Sequence, residues 1–228
     1  MCDVVDAGTE WQFVDGQPLP DFEPFCASKC VDFPGTLTIV GQRDLRKVPL
    51  LPKLRKVNRL IVNIDGLPDL RGLEKVDIET LLNLVSHRVD SPDLTFVSMA
   101  GLEDDSIDVI TIDNAPGLPS LSSGLRRAQA LSIVSTGIRE VDLHSVAIRD
   151  LALVKNPELR SVALGSGTMQ SVLLEWNKSL DTFSWGDLQV RQSVRISGNP
   201  NLSTCRAEEF TRDAGAPRTT VIDNGPCP

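Results

Sequence analysis

The chain has 228 residues, of which 41% are hydrophobic and only 4% aromatic, and its formal net charge is −8. No apolar run reaches the roughly 18 residues of a transmembrane helix, which argues against a spanning segment. The acidic balance argues against nucleic-acid binding, which would need a strong local basic patch.

Residues 1–34 show no regular pattern, yet they contain five of the ten aromatic residues of the chain. The end of a repeat array exposes apolar surface that must be covered, so we expect a tether followed by an N-terminal cap. Cys2 is followed by a polar stretch, as at the lipid-modified start of a mature bacterial lipoprotein. We therefore expect lipidation at Cys2 and membrane anchoring through it. A stray thiol and a disulfide to a partner are the alternatives.

An apolar–x–apolar phrase recurs from residue 35 to 202, with a period of roughly 22 residues that is typical of a solenoid. Alternation of this kind needs a strand, and the Pro-, Gly- and Asn-rich remainder of each period is too short for a long helix. The fold class expected is mainly β: a single-stranded right-handed β-helix of about eight rungs, similar to leucine-rich-repeat solenoids. The second apolar residues of the rungs are Ile39, Val62, Leu84, Ile112, Ile133, Leu153, Leu174 and Ile196.

An Asn follows several of these strands. At a tight corner an inward Asn side chain can bond the backbone groups of neighbouring rungs that the turn leaves unpaired. We expect Asn114, Asn156, Asn177 and Asn199 to form such a ladder.

The residues that flank or separate the inward pairs should point out of the sheet, and many of them are apolar. A contiguous apolar patch on a soluble protein usually marks a contact surface. The alternatives are a covering N-terminal segment, or simply the preference of strands for β-branched residues. Trp185 is expected near the C-terminal end of this face, as is Trp176; the alternative for either tryptophan is that it fills the wider seventh rung. The predicted partner-binding residues are Val40, Ile61, Val85, Val134, Val154, Leu173, Arg195 and Trp176.

The segment from residue 43 to 59, on the outer walls of the first rung, contains seven basic residues and one acidic residue and is here called the basic run. The run indicates a patch for an acidic partner or for anionic membrane headgroups, against the simpler alternative of a solvated wall. Its members are Arg43, Arg46, Lys47, Lys53, Arg55, Lys56 and Arg59.

All five cysteines lie near the ends of the chain. This distribution favours disulfides that staple two caps, with Cys26–Cys30 and Cys205–Cys227 as the local pairings and reduced thiols as the alternative. Residues 203–228 are predicted to form a C-terminal cap. It would contain a helix over 205–214 that ends at Gly215, with Ser203 or Thr204 as N-cap, and a strand over 219–222.

Residues that could carry chemistry are sparse. The chain has two histidines, no Cys–His metal spacing, no Gly-rich phosphate loop and no hydrolase motif in its proper context. We therefore expect no enzymatic activity, no metal and no cofactor. Some parallel coils cleave glycans, so a glycan-active β-helix enzyme is the less favoured alternative.

Three stretches resemble the receptor L domains, the leucine-rich coils of insulin- and growth-factor-receptor ectodomains: residues 35–39, residues 60–62 with 67–73, and residues 196–202. The end of the chain, from Asn199 through Cys205 to Cys227, looks like the cap of bacterial, especially myxobacterial, secreted members. The resemblance implies a non-catalytic recognition or adhesion module over 35–202. It also implies an exported location in the cell envelope, as an outer-membrane lipoprotein or a secreted protein, with another protein or a glycan as partner. A structural envelope lipoprotein is the alternative.

Overall fold

A computed structural model of the chain describes residues 10–14, 32–40, 56–63, 76–85, 97–98, 107–122 and 126–228. The described residues are mainly β: their strands form a parallel β-solenoid of about six turns, and they include a short helix near the C-terminus. The predicted fold class is confirmed. None of the described helices is long and apolar enough to cross a membrane.

The described strands fall into one large sheet and two small ones, all with parallel pairing. In chain order they are β1 (Glu10–Val14), β2 (Asp32–Val40), β3 (Lys56–Asn63), β4 (Asp77–Val85), β5 (Val97–Ser98), β6 (Ile107–Asp113), β7 (Leu121–Ser122), β8 (Arg127–Val134), β9 (Glu140–Leu143), β10 (Ala147–Val154), β11 (Ser161–Leu164), β12 (Gly167–Glu175), β13 (Thr182–Trp185), β14 (Leu188–Ser197) and β15 (Arg218–Ile222).

The large sheet has ten strands in the order β1-β2-β3-β4-β6-β8-β10-β12-β14-β15, so neighbouring strands of the sheet come from successive stretches of the chain. A second wall is formed by the three-stranded sheet β13-β11-β9. Strand β1 lies within the segment that the sequence assigned to tether and cap, and it pairs with β2.

The eight predicted strand positions all lie in register in the ten-stranded sheet. Ile133, Leu153 and Leu174, for example, are direct partners on neighbouring strands. The side chains of all eight point inward and are fully buried, as the alternating pattern predicts. Their contacts from turn to turn form one continuous hydrophobic core.

The corner after the large sheet contains the expected Asn ladder. Asn156, Asn177 and Asn199 are completely buried. The backbone N–H of Asn156 donates to Asn177 Oδ1 over 3.0 Å, and that of Asn177 donates to Asn199 Oδ1 over the same distance. Each Asn side chain also donates to a strand carbonyl of the preceding turn, as Asn177 Nδ2 does to Leu153 O at 2.9 Å. Thr136 begins this ladder and Asn224 ends it.

The prediction that Asn114 belongs to this ladder is wrong. Asn114 lies one residue earlier in its turn, in left-handed backbone with a φ of 57°. The buried Ala115 occupies the ladder position of that turn. Residues at the left-handed corner of the other turns are Ser135, Lys155, Trp176, Gly198 and Asp223.

The C-terminal cap agrees with its prediction. Helix α1 (Thr204–Asp213) follows Ser203 as N-cap and covers the open end of the core with the buried Ala207 and Phe210. Gly215 ends it with a φ of 63°. A disulfide joins Cys205 to Cys227. The predicted Cys26–Cys30 pair and the predicted lipidation site Cys2 lie outside the described residues.

Candidate recognition face

The outward side of the ten-stranded sheet, here called the open face, is formed by three rows of side chains that run across the strands from β2 onwards. The alternation of buried and partly exposed residues along β8, β10 and β12 defines it. The central row contains Thr38, Ile61, Asn83, Thr111, Ser132, Ala152, Leu173, Arg195 and Thr220. The second row contains Asn63, Val85, Asp113, Val134, Val154, Glu175, Ser197 and Ile222.

Three of the predicted contact residues lie together on this face. Val134 and Val154 are direct neighbours in the second row, and Leu173 pairs with Ala152 in the central row. All four side chains are half-buried. We call them the apolar patch.

The other predicted apolar residues are separated from this patch. Ile61 and Val85 are partly exposed, but Asn83, Thr111 and Asp113 lie between them and the patch. Val40 lies further still towards the N-terminal end, on β2. The open face is therefore apolar in places and polar between them, rather than one continuous apolar surface.

A third row adds apolar residues that the sequence reasoning missed. Leu81, Val109 and Ala130 are partners on β4, β6 and β8, and each is only partly buried. Each of them directly precedes an inward apolar residue, as in Val109-Ile110. Two consecutive apolar residues do not show which of the two points outward. A strand of seven or eight residues contains one more outward position than the short phrase suggests.

Trp176 lies at the corner beside the second row, directly after Glu175. Its side chain is 51% exposed, and Ile222, two strands further on, is 49% exposed. These are the two exposed large hydrophobic residues among those described. The backbone of Trp176 has a φ of 58°, a left-handed conformation that costs a non-glycine residue roughly 1–2 kcal/mol. A bulky exposed residue held in that conformation is a reason to look for a functional role.

Arg195 is exposed next to Leu173 in the central row, as predicted. Its guanidinium Nε donates to Glu175 Oε1, which also accepts a 2.8 Å hydrogen bond from Ser197 Oγ. The carboxylate of Glu175 is largely buried, with 16% of its side chain exposed. This network fixes the Arg195 side chain on the open face beside the corner that holds Trp176.

Trp185 does not lie at the open face, and its packing position agrees with the alternative that it fills the coil. It is part of β13 in the three-stranded sheet, where it packs with Phe183 and Phe210 at centroid distances of 5.3 and 5.0 Å. The Arg206 guanidinium of α1 lies 4.0 Å from the centre of its ring. This cluster joins the cap to the coil, so Trp185 has a structural role.

The basic run is described only at its end. Lys56 forms an ion pair with Glu79 on the neighbouring strand, with 2.6 Å between Nζ and Oε1. Arg59 is exposed in the third row of the open face, between Thr36 and Leu81. The predicted members Arg43, Arg46, Lys47, Lys53 and Arg55 lie outside the described residues.

The second wall contains an aspartate with a lowered pKa, Asp142. The backbone N–H and the imidazole of His144 both bond Asp142, which holds the pKa of that carboxyl below its usual value. Both side chains are well exposed and far from the open face in the fold. Among the described residues no three His, Cys, Asp or Glu side chains are grouped so as to hold a metal ion.

A small cavity of about 70 Å³ lies at the far corner of the coil, between β10, β12 and β14. Its lining is mostly aliphatic, with the hydroxyl groups of Ser166 and Thr168 and no ionisable side chain. Comparison of the chain with known protein families, with characterised proteins and with solved structures finds no match.

Proposed function

We propose that this protein is a non-catalytic recognition or adhesion module that binds a protein or glycan through the open face. The observation that carries the proposal is the juxtaposition of the apolar patch with Trp176 and Arg195 on one exposed side of a rigid sheet. Trp and Arg are the residues most enriched at binding hot spots. Half-buried apolar neighbours supply a surface that a partner can dehydrate.

The rigidity of the sheet supports the same proposal. The open face is fixed from beneath by a continuous core and along one edge by the buried Asn ladder. A binding surface held in place before contact loses little conformational freedom when a ligand arrives. A coil of stacked strands is therefore suited to presenting an extended contact surface.

An exported location belongs to the proposal. The Cys205–Cys227 disulfide supports it, because structural disulfides form and persist mainly in oxidising compartments. Thiol labelling of denatured protein, taken from intact host cells under acid quench, tests this point. We expect Cys205 and Cys227 to be protected from the label, and free thiols at both would argue against export.

The binding proposal is tested with variants that place charge on one wall or on the other. Val154→Asp and Leu173→Asp alter the open face, whereas Ala163→Asp and Ser184→Asp add the same charge to the outward side of the three-stranded sheet. Each full-length variant is expressed in the native host, cross-linked on intact cells and captured. We expect the cross-linked partner to disappear from the open-face variant and to remain with the control.

The contrary result would be equal capture by both variants, which would favour a structural envelope protein. Circular dichroism of the purified variants excludes misfolding as the cause of a loss. All four positions point outward and are only partly buried, so both doubly substituted chains should fold.

A further inference from the structure

The C-terminal end of the open face is cationic in a chain whose net charge is −8. Arg195 lies on β14. Arg218 lies on the neighbouring strand β15, where it pairs with Ser193, and Ser193 is two residues before Arg195 on β14. Neighbouring strands are about 4.8 Å apart and alternate residues about 7 Å apart, so the backbone positions of Arg195 and Arg218 lie close together. Arg191 is exposed in the β-bulge that precedes Ser193.

Two of these three arginines have no counter-charge within the part of the chain that the structure describes. Arg195 is bonded to Glu175, but Arg191 and Arg218 make neither an ion pair nor a side-chain hydrogen bond with described residues. Guanidinium groups are planar, permanently charged and able to bond carboxylates through two N–H groups at once. An anionic ligand would provide a counter-charge for Arg191 and Arg218.

The other end of the same strip is aromatic. The indole of Trp176 rests against the backbone of Gly198, while about half of the side chain remains exposed. An aromatic face is electron-rich, so it attracts the weakly positive C–H groups of a sugar ring. The left-handed backbone of Trp176 is a conformation that bulky residues rarely adopt, and it fixes the ring at this corner.

Two hydroxyl groups lie among the arginines. Ser193 is the partner of Arg218 and is partly exposed, and Thr220 is the exposed partner of Arg195. Towards the indole, Ser197 is buried and Ile222 is exposed. A protein partner would call for a larger apolar centre, like the apolar patch further along the sheet. Hydroxyl groups beside free guanidinium groups suit a ligand that is itself hydroxylated and anionic.

We propose that this strip, formed by Trp176, Arg191, Arg195 and Arg218, binds a uronate-bearing polysaccharide. The arginines take its carboxylates and the indole stacks on a sugar ring. This inference rests on the proposed recognition function and names its ligand class. It places the ligand along β14 and β15, at the C-terminal end of the open face.

Binding of the full chain to polygalacturonate and to alginate is measured by isothermal titration calorimetry, with dextran as the neutral polymer. The variants are R191E/R218E and Trp176→Asn, with R160E as a charge-reversal control outside the strip, because Arg160 is exposed at the second wall. Asn tolerates the left-handed corner, as Asn114 shows, so Trp176→Asn should fold. We expect a loss of about tenfold or more in affinity for each strip variant, no change for R160E and no binding of dextran.

Poly-L-glutamate of matched length tests the alternative of an acidic protein partner. We expect it to bind at least about tenfold more weakly than polygalacturonate and to be insensitive to Trp176→Asn. Equal binding of poly-L-glutamate would overturn the assignment, as would failure of both uronate polymers to bind. If those polymers fail while the open-face variants still lose the partner on cells, this inference is wrong and the proposed function stands.

Discussion

The indole of Trp176 lies against the backbone of Gly198 on the next turn of the coil, so close that a Cβ on Gly198 would come within 2.5 Å of the ring. Both residues occupy the left-handed corner position of their turns, with φ values of 58° and 68°. A large side chain at one corner is therefore matched by the absence of a side chain at the next. This pair places an exposed aromatic ring at the edge of the open face.

Gly198→Ala should destabilise the protein by about 2–4 kcal/mol, since it adds left-handed strain to an overpacked contact. In a Trp176→Asn background the clash is absent, so the same substitution should cost only about 1–2 kcal/mol. Urea unfolding of the four chains of this double-mutant cycle gives the coupling between the two sites. Additive effects would show that the ring and the glycine do not contact each other.

Asn177→Ala should destabilise the protein by about 2–4 kcal/mol, because it leaves the carbonyl of Leu153 and the N–H of Asn156 buried without partners. Asn201→Ala serves as the control, since Asn201 is exposed, and should change stability by less than about 0.5 kcal/mol. Thermal unfolding followed by circular dichroism measures both. A small effect at Asn177 would mean that the ladder contributes little to stability.

The ladder also shows how far the sequence could be interpreted. Asn156, Asn177 and Asn199 were predicted correctly because each lies three residues before an inward Leu. Asn114 lies four residues before Leu118, and that one-residue offset is the signal that Ala115 and not Asn114 faces inward. The strands were predictable throughout because a burial pattern with period two needs no knowledge of distant contacts.

The candidate site was less predictable, for physical reasons. Whether Trp176 or Trp185 is exposed depends on where α1 packs, and that contact joins residues far apart in the fold. The outward positions of Leu81, Val109 and Ala130 depend on strand length, which the repeat phrase does not encode. Whether the apolar residues of the open face are contiguous depends on strand register. Asn83 and Asp113 separate Ile61 and Val85 from the apolar patch, although all of these apolar residues follow the same repeat pattern.

Removal of the Cys205–Cys227 disulfide, by a double substitution to Ser, should destabilise the protein by about 3 kcal/mol, given the sequence separation of 22 residues. The loss should be local first, because α1 contacts the last strands of the coil, β13, β14 and β15. Hydrogen exchange should therefore accelerate in α1 before it does in β10 or β12. Uniform acceleration across the coil would contradict this picture of a separable cap.

Asp142 should titrate below the usual range of an aspartate, because His144 donates to the charged form of its carboxyl. A folded-state pKa below the unfolded one gives stabilisation that is present above the unfolded pKa and is lost as pH falls through the folded pKa. The effect on stability should be small, since the pair is well exposed. NMR titration of the Asp142 carboxyl measures the pKa, and Asp142→Asn should remove this contribution to the acid dependence. Titration at or above the ordinary value would refute the assignment.

The central claim, recognition through the open face, is tested most directly by hydroxyl-radical footprinting of the full chain, free and bound on intact host cells. Trp176 and Trp185 report on opposite sides of the coil, and Leu173 and Val154 report on the apolar patch. We expect binding to reduce oxidation of Trp176, Leu173 and Val154 several-fold while Trp185 is unchanged. Protection of the three-stranded wall, with Trp176 still freely oxidised, would contradict the account.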